Sequence, residues 1–492
     1  MELTAKSLVL LLVTALSLIT FGCSKKSDTP KSEVARFLWN EQAEANATVK
    51  VLNEFGEPLE SAQVLIGYAQ GTPFKGNFLN TDKNGVARIP TDWNAKAHVT
   101  VEAAGYIRQT LLSQNPGDIS LKLLRRSAPA RPEINGKVTG LPVVNGDKMT
   151  DFALVIPAMT RGDLLNFDLN AVISPYSDTI SVVGQEAKIP GNVSLPSQKE
   201  SYLFPITIAK PVYRLTSTTL GAKRFFAIRG QFPFKKTIDE MRAGKPFYDM
   251  INNFSIQGGG MRDITLSQPM TNLDIPGNEL IFSSKVRTQS AAIATDEVQM
   301  VVAISDVAGT LAPTDIKKFT GESHLQLATL PNKKTYIVNI LKRQTEVDPA
   351  ATAAAKSNRI SAALAIHNEA IKPLFLPLVE SPTVTETSGF VIGLPSKPNQ
   401  VGINALAVSA SISDLVPFVS GTETVINVNR RWEIIGLGWD QSMELPNWPL
   451  GDSAAERRIE INFIGSTTHK GAKLDDNLIE AATHVTHAST DF

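Results

Sequence analysis

Short stretches in which apolar and polar residues alternate constrain the fold of this chain more than any other feature. Such alternation is clear at residues 48–52, 98–102 and 119–123, and turn-forming residues such as Asn84 and Gly85 lie between these stretches. Alternation with a period of two places every second side chain on one face, which is the pattern of a half-buried strand. Short strands separated by turns are typical of antiparallel sandwiches. The sequence therefore predicts a mainly β fold.

The composition limits the partners and the covalent cross-links that are available to the chain. Of the 492 residues, 42% are hydrophobic and 20% are charged, which is ordinary for folded domains, and the length suggests about three domains. Lys+Arg and Asp+Glu both number 48, and the absence of a long basic run argues against a nucleic-acid partner. Because the chain has one cysteine, Cys23, no intramolecular disulfide can form and the fold depends on packing.

The N-terminal stretch of residues 8–23 has the pattern of an export signal. A basic residue precedes an apolar run that is shorter than the roughly 20 residues needed to span a bilayer. Cys23 follows the small residue Gly22, and this ending resembles the lipobox of bacterial lipoproteins, in which the signal is cut before a cysteine that carries lipid. Thr20 and Phe21 depart from the usual Leu and small residue of that pattern.

The resemblance implies a signal peptide over residues 1–22, and a lipid-modified Cys23 that attaches the protein to a membrane. Residues 23–46 begin with Ser, Lys, Asp and Pro, a composition that buries little surface and predicts a flexible tether. Ser24 replaces the Asp that favours inner-membrane retention in enterobacteria, so the outer membrane is favoured over the inner. An ordinary secretory signal with an incidental cysteine is one alternative, and a cytosolic protein with an unusual N-terminus is another.

Residues 47–125 contain three motifs whose order resembles the carboxypeptidase regulatory-like domain, a transthyretin-like sandwich. The motifs are an Asn/Gly/Pro turn at 53–62, the Thr-Asp-Lys-Asn-Gly step at 81–85 and the Ala-Ala-Gly-Tyr step at 103–106. Asn53 stands where the family usually has Asp, and related bacterial Ig-like modules share much of the pattern and are the alternative. The resemblance implies an accessory role as spacer, stalk or adhesion module, without catalytic residues.

The remaining chain matches no family in its sequence pattern. Residues 126–135 contain prolines and predict a semi-rigid linker. Residues 136–285 predict a β-rich domain with a helix near 235–253, which the Gly-Lys-Pro step at Gly244 divides in two. Residues 286–492 predict a further β-rich region, as one large sandwich or two small ones. The predicted fold class is mainly β, with an N-terminal transthyretin- or Ig-like β-sandwich, a larger β-sandwich-type region and a short helical insertion.

Two polar patterns resemble ligand sites, and each has a simpler structural interpretation. The glycines at 258–260 precede Arg262, but the Gly-Lys-[Ser/Thr] ending of a phosphate-binding loop is missing, so a turn after the helix is the favoured interpretation. His484 and His487 share a face only on a helix, whereas their Thr-rich context predicts a terminal strand, on which they point to opposite faces. We therefore predict no metal site.

Tryptophans near the C-terminus supply the candidate ligand-binding residues. Trp432, Trp439 and Trp448 gather within about 20 residues, and exposed tryptophans stack well on sugar rings. Trp439 and Trp448 are the candidates, although packing in the core is the favoured alternative because large aromatic side chains are mostly buried. No G-x-S-x-G elbow occurs, and neither a catalytic residue nor a cofactor is predicted.

These patterns favour an exported, lipid-anchored cell-envelope protein with a non-catalytic binding, adhesion or structural role. The expected partners are the membrane, through lipid on Cys23, and a glycan or another envelope protein. An envelope hydrolase that acts on polysaccharide or peptide is the alternative, and a cluster of carboxylates with raised pKa values would favour it. An exposed aromatic patch would favour binding, and an unpaired strand edge would favour a scaffold for another protein.

Overall fold

A computed structural model describes much of the chain after residue 46. The described residues are 47–67, 78–89, 93, 95–126, 132–141, 149–159, 177–182, 185–196, 212–217, 220–245, 247–289, 291, 293–307, 310–319, 322–328, 334–346, 358–366, 373–386, 390–420, 423–446, 456–469 and 476–492. The predicted signal peptide, Cys23, the tether, residues 127–131 of the linker and Trp448 lie outside them.

Strands dominate the described residues. They are β1 (Ala47–Asn53), β2 (Gln63–Ile66), β3 (Leu79–Asn80), β4 (Val86–Ile89), β5 (Ala97–Glu102), β6 (Arg108–Gln114), β7 (Asp118–Leu123), β8 (Glu133–Thr139), β9 (Met149–Pro157), β10 (Ser177–Val182), β11 (Gln185–Pro190), β12 (Val193–Ser194), β13 (Val212–Thr216), β14 (Gly221–Pro233), β15 (Ser255–Leu266), β16 (Met270–Asn272), β17 (Ile275–Pro276), β18 (Leu280–Gln289), β19 (Glu297–Val307), β20 (Thr310–Lys318), β21 (Glu322–Ala328), β22 (Thr335–Arg343), β23 (Asn358–Ile366), β24 (Thr383–Thr385), β25 (Phe390–Gly393), β26 (Asn404–Ser420), β27 (Glu423–Leu437), β28 (Met443–Leu445), β29 (Glu456–Ser466) and β30 (His484–Asp491). The predicted mainly β, sandwich-type fold is confirmed.

The helical insertion is divided as the sequence predicts. Helix α1 spans Phe234–Arg242, α2 spans Phe247–Met250, and a 3-10 turn at Ile251–Asn253 continues α2. Gly244 lies between the two helices with φ +73°, a conformation that glycine adopts without a steric penalty. Helix α3 (Asp476–Ala481) and a 3-10 turn at Gln344–Glu346 are the other helical elements among the described residues. None of the helices in those residues is long and apolar enough to cross a membrane.

The first sandwich consists of two sheets from residues 47–123. Strand β1 lies between β4 and β7 in one sheet, and β6, β5, β2 and β3 follow one another in the other. The apolar residues of the alternating stretches meet between the sheets, where Val49, Val99, Val101 and Leu121 have no exposed surface. The alternation is therefore the pattern of one buried face on each strand, as expected for a sandwich.

Side-chain oxygens accept backbone hydrogen bonds in the turns of the first two motifs, at residues 53–62 and 81–85. The Oδ1 atom of Asn53 accepts hydrogen bonds from the N–H groups of Phe55 and Glu57, both at 2.9 Å, so Asn performs the turn role expected of Asp. At the second turn Gly85 has φ +72°, and the Asp82 carboxylate accepts from Asn84 N–H at 2.8 Å. This second turn is not a hairpin, because β3 and β4, which it joins, belong to different sheets.

The middle of the chain forms a second sandwich. A sheet in the order β13-β8-β16, with β17 beside β8, packs on a six-stranded sheet in the order β12-β9-β14-β15-β18-β21. Strand β14 has both faces buried: Phe225 lies in the core between these two sheets, while Phe226 lies in a different core on the opposite side of the six-stranded sheet. The predicted boundary between residues 285 and 286 falls inside β18.

The glycine run at 258–260 lies inside strand β15, so its interpretation as a turn was wrong. A Cβ atom at Gly260 would lie 1.7 Å from the carbonyl oxygen of Pro276, and one at Gly259 would lie 2.3 Å from that of Ala227. The backbones of neighbouring strands approach each other at these positions closely enough to exclude any side chain. The glycines therefore serve packing of the middle sandwich, and the run is not a loop that encloses an anion.

The largest sheet has twelve strands and joins strands of the first sandwich to strands from the C-terminal part of the chain. Its order is β20-β19-β22-β23-β30-β29-β26-β27-β6-β5-β2-β3, so the last four positions are taken by strands of the first sandwich. Parallel pairing of β27 with β6 makes the connection, with Trp432 opposite Arg108 and Ile435 opposite Leu111. The first sandwich is thus continuous with the C-terminal strands through hydrogen-bonded backbone.

Candidate functional site

The place where β6 meets β27, which we call the junction, joins residues of the first sandwich to C-terminal residues. The indole of Trp432 is fully buried there, and its Nε1–H donates to the Thr110 hydroxyl at 2.9 Å. The Thr110 hydroxyl is in turn 2.8 Å from that of Thr100 on β5. Three strands are therefore connected by side-chain hydrogen bonds as well as by backbone pairing.

An arginine covers the tryptophan ring from the side of the first sandwich. The guanidinium carbon of Arg108 lies 4.7 Å from the centroid of the Trp432 ring, within the range of a cation–π interaction. Arg108 is 2% exposed and donates to the Glu102 carboxylate at 2.8 Å, and Arg126 approaches the same carboxylate at 3.5 Å. Burial lowers the pKa of Arg108, and Glu102 opposes that effect by stabilising the cation.

A row of polar side chains crosses the sheet at the junction. The Oγ–H of Ser411 donates to Glu460 at 3.0 Å within the row, and Glu433 accepts from Arg430, outside the row, at 3.0 Å. The buried carboxamide of Gln109 has no hydrogen-bond partner in the structure. Such a row can hydrogen-bond polar groups. Its members, in register on six neighbouring strands, are Asn358, Ser489, Glu460, Ser411, Glu433 and Gln109.

The structure places the two C-terminal histidines on the predicted terminal strand, β30. His487 is 1% exposed, and its Nδ1 atom is 2.8 Å from Oδ1 of Asn462. His484 is also buried, and its Nδ1 atom lies 2.7 Å from the hydroxyl of Thr483. Burial lowers the pKa of His484 to about 4 and that of His487 to about 3. Both rings are therefore neutral at pH 7.

Acidification should destabilise the fold through His487. Because its folded pKa of about 3 lies below the ordinary 6.5, the unfolded chain binds more protons below pH 6.5, and stability is lost as the pH falls towards 3. We expect a loss of about 2 kcal/mol between pH 7 and pH 5 from this residue, measured by denaturant unfolding. His487→Gln should reduce the pH dependence of the free energy of unfolding, whereas replacement of the exposed His469 by Gln should not. An equal pH dependence in the natural protein and both variants would contradict the assignment of this effect to His487.

Among the candidate residues named from the sequence, Trp439 belongs to the described part of the chain. Trp439 lies in the core: it is 8% exposed, its Nε1–H donates to the carbonyl of Ile464 at 2.8 Å, and its ring meets Phe463 edge to face at 6.2 Å. The ring is thus packed inside the protein and does not offer a face to a sugar. Cys23 and Trp448 lie outside the described residues.

The acidic residues of the described chain are candidates for metal ligands and for groups with raised pKa values. No group of three or more His, Cys, Asp and Glu that could hold a metal occurs among them. Burial raises the pKa of Asp315, but its carboxylate accepts from the N–H groups of Gln326 and Ile316, both at 2.9 Å, and faces Lys317 at 3.6 Å. These contacts hold β20 beside β21, which is a structural role.

Sequence reasoning missed the junction because its members carry no local signal. Glu102 ends a predicted strand, and Arg108 follows the turn after it. Nothing in this segment indicates that the ring of Trp432 packs against Arg108. Strand β6 reads Arg-Gln-Thr-Leu-Leu-Ser-Gln, so its composition gives little indication that its first residue, an arginine, is buried.

Comparisons with known proteins show weak similarity to solved structures. No family model matches the chain, and no curated protein matches it. Among solved structures, the Bacillus anthracis TIE protein matches at 10% identity and a TM-score of 0.15, over 61% of this chain and 45% of its own. A mutant of the shaft pilin SpaA from Lactobacillus rhamnosus GG matches at 10% identity and a TM-score of 0.14, over 48% and 99%. BcpA, the major pilin subunit of Bacillus cereus, matches at 9% and 0.14, over 59% and 86%.

Proposed function

We propose that this protein is an exported, lipid-anchored component of a bacterial cell envelope with a non-catalytic structural or adhesive role. The junction is the observation that carries the proposal. A flexible spacer would be connected to the next domain by its linker alone, whereas here β6 extends the C-terminal sheet through β27. Such a connection supports a role in holding the C-terminal region at a fixed orientation relative to the first sandwich.

The first sandwich, in this proposal, is a carboxypeptidase regulatory-like module. The support is the order of its three motifs, together with two sheets that enclose one core and a turn organised by Asn53. A module of this kind brings no catalytic residues, in keeping with a structural role. Recognition of a glycan or of another envelope protein, in this proposal, belongs to residues 136–492.

Replacing Cys23 with alanine should release the protein from membranes. The residue would carry the acyl chains, and each buried methylene contributes about 0.8 kcal/mol to membrane affinity. We expect the Cys23→Ala protein in the soluble fraction after carbonate extraction and the natural protein in the pellet. Thr20→Leu brings the signal closer to the lipobox pattern and serves as the control that stays in the pellet. Retention of Cys23→Ala in the pellet would contradict the anchor.

Incubation with purified peptidoglycan sacculi separates the structural or adhesive role from the hydrolase. Co-sedimentation of the purified protein without release of soluble fragments would support the proposal. Release of reducing ends or muropeptides would overturn it in favour of a hydrolase. Protease treatment of intact and lysed cells then decides which side the protein faces, because a surface protein is cut in both samples and a periplasmic protein only after lysis.

A further inference from the structure

A histidine of the first sandwich contacts the C-terminal region beside the junction. His98 lies on β5 opposite a β-bulge, where Leu112 and Ser113 of β6 together face this one residue. Ser113 has φ +51°, a left-handed conformation that is uncommon for a residue other than glycine. The bulge is therefore a strained piece of backbone that needs fixed partners.

The imidazole of His98 supplies one of those partners. The backbone N–H of Ser113 donates to Nδ1 of His98 at 3.0 Å, so this nitrogen acts as an acceptor and the ring proton lies on Nε2. The ring also hydrogen-bonds the backbone of Ser442, which follows β27 in the chain. One neutral imidazole thus bridges the bulge of the first sandwich and the turn at residues 438–442.

A second contact runs between the same two segments. The hydroxyl of Ser113 donates to Oε1 of Gln441 at 3.0 Å, and the Gln441 amide donates to the carbonyl of Leu437 at the end of β27. Under the bulge, Leu112 belongs to the same apolar core as Met443. The bulge and the turn therefore form a compact contact with His98 at its edge.

We propose that His98 is a pH-sensitive latch: when neutral it holds the β6 bulge through Ser113, and when protonated it releases the bulge and with it the contact of Ser113 with Gln441 in the 438–442 turn. Protonation places a second proton on Nδ1, which then faces the Ser113 N–H, so two donors oppose each other and that hydrogen bond is lost. The ring is half-buried, so the bound proton would also be poorly solvated in the closed contact.

Charged side chains near His98 neither replace the hydrogen bond that is lost on protonation nor oppose its loss. The titratable residues on the elements around the ring are Lys96 and Glu102 at the two ends of its own strand, Arg108 on β6 and Asp440 in the turn. Asp440 is paired with Lys397 at 2.5 Å. Strand β2 on the other side of β5 carries no titratable residue. Burial lowers the His98 pKa, and the hydrogen bond to the Ser442 backbone opposes that effect in part because it also stabilises the protonated ring.

Hydrogen exchange of the full chain, read by mass spectrometry at pH 7.5 and pH 5.5 with intrinsic rates corrected, tests the latch. With an open-state pKa of about 6.5, protonation at pH 5.5 should favour the open contact by up to about tenfold. We expect peptides covering 108–114 and 438–442 to lose more protection than a peptide of β1, which reports the general loss of stability expected from His487. Equal protection at both pH values, or a parallel loss in β1, would overturn the proposal.

Two variants assign the effect to this ring. His98→Asn retains an oxygen that can accept from Ser113 but does not titrate, so the loss of protection beyond that of β1 should vanish at pH 5.5. His324→Asn changes an exposed histidine on β21 and should leave the loss intact. Persistence of the loss in His98→Asn would overturn the proposal. If His98→Asn does not fold, as judged by circular dichroism, the comparison of the natural protein at the two pH values decides by itself.

Discussion

Replacing Trp432 with alanine should lower the free energy of unfolding by about 3–5 kcal/mol, the range for loss of a fully buried large aromatic side chain. The indole has no exposed surface and makes three contacts that alanine cannot replace. It donates to Thr110, lies under the Arg108 guanidinium and approaches Phe390 at 5.9 Å. Loss of the ring also leaves Arg108 buried beside a cavity. Denaturant unfolding at pH 7.5 measures the change.

Two further variants show whether the effect belongs to the buried site. Trp432→Phe retains an aromatic ring but leaves the Thr110 hydroxyl without its donor, so a smaller loss of about 1 kcal/mol is expected. Phe55→Ala removes an aromatic ring that is 75% exposed in the first turn, and should change stability by less than about 0.5 kcal/mol. A loss below about 1 kcal/mol for Trp432→Ala would contradict the burial on which the junction depends.

Replacing Gly260 with alanine should destabilise the protein by about 3 kcal/mol, the upper end for inserting one methyl group into a closely packed region. The new Cβ would lie 1.7 Å from the carbonyl oxygen of Pro276, which is backbone and cannot rotate away as a side chain can. Strands β15 and β17 would have to separate, and the core between the two sheets of the middle sandwich would open with them. Thermal and denaturant unfolding both report the change.

Ser255→Ala provides a matched control on the same strand. Ser255 begins β15 and is exposed, so alanine there should change stability by less than about 0.5 kcal/mol. A similar small effect for Gly260→Ala would contradict the close approach of β15 to β17. It would also reopen the interpretation of the glycine run as a permissive segment.

Local patterns predicted the strands well. Residues 119–123 lie in β7 and residues 98–102 in β5, and in both stretches alternate side chains enter one core. The division of the helix at Gly244 and the terminal strand at His484 were predicted as well. Each of these features depends on side chains within a few positions of one another, which is the range over which a sequence pattern carries information.

The candidate site was not predictable in the same way. Trp432 and Thr110 are hydrogen-bonded although they lie 322 positions apart in the chain. Nothing near either residue indicates that a strand of the first sandwich pairs with a C-terminal strand, because backbone groups are alike and do not specify a neighbour. Trp439 illustrates the same limit, since an aromatic residue among prolines and glycines is compatible with the surface or the core until its packing is known.

The sequence by itself determined the mainly β fold, the turns built on Asn53 and Gly85, and the break between the two short helices. These follow from local preferences of the backbone and from the period of the apolar residues. Only the tertiary structure decided that β6 pairs with β27, that the glycine run lies within a strand, and that His98 bridges two distant segments. Strand order, close approach of backbones and burial are set by contacts between residues far apart in the chain, and alternation is the same whichever strand becomes the neighbour.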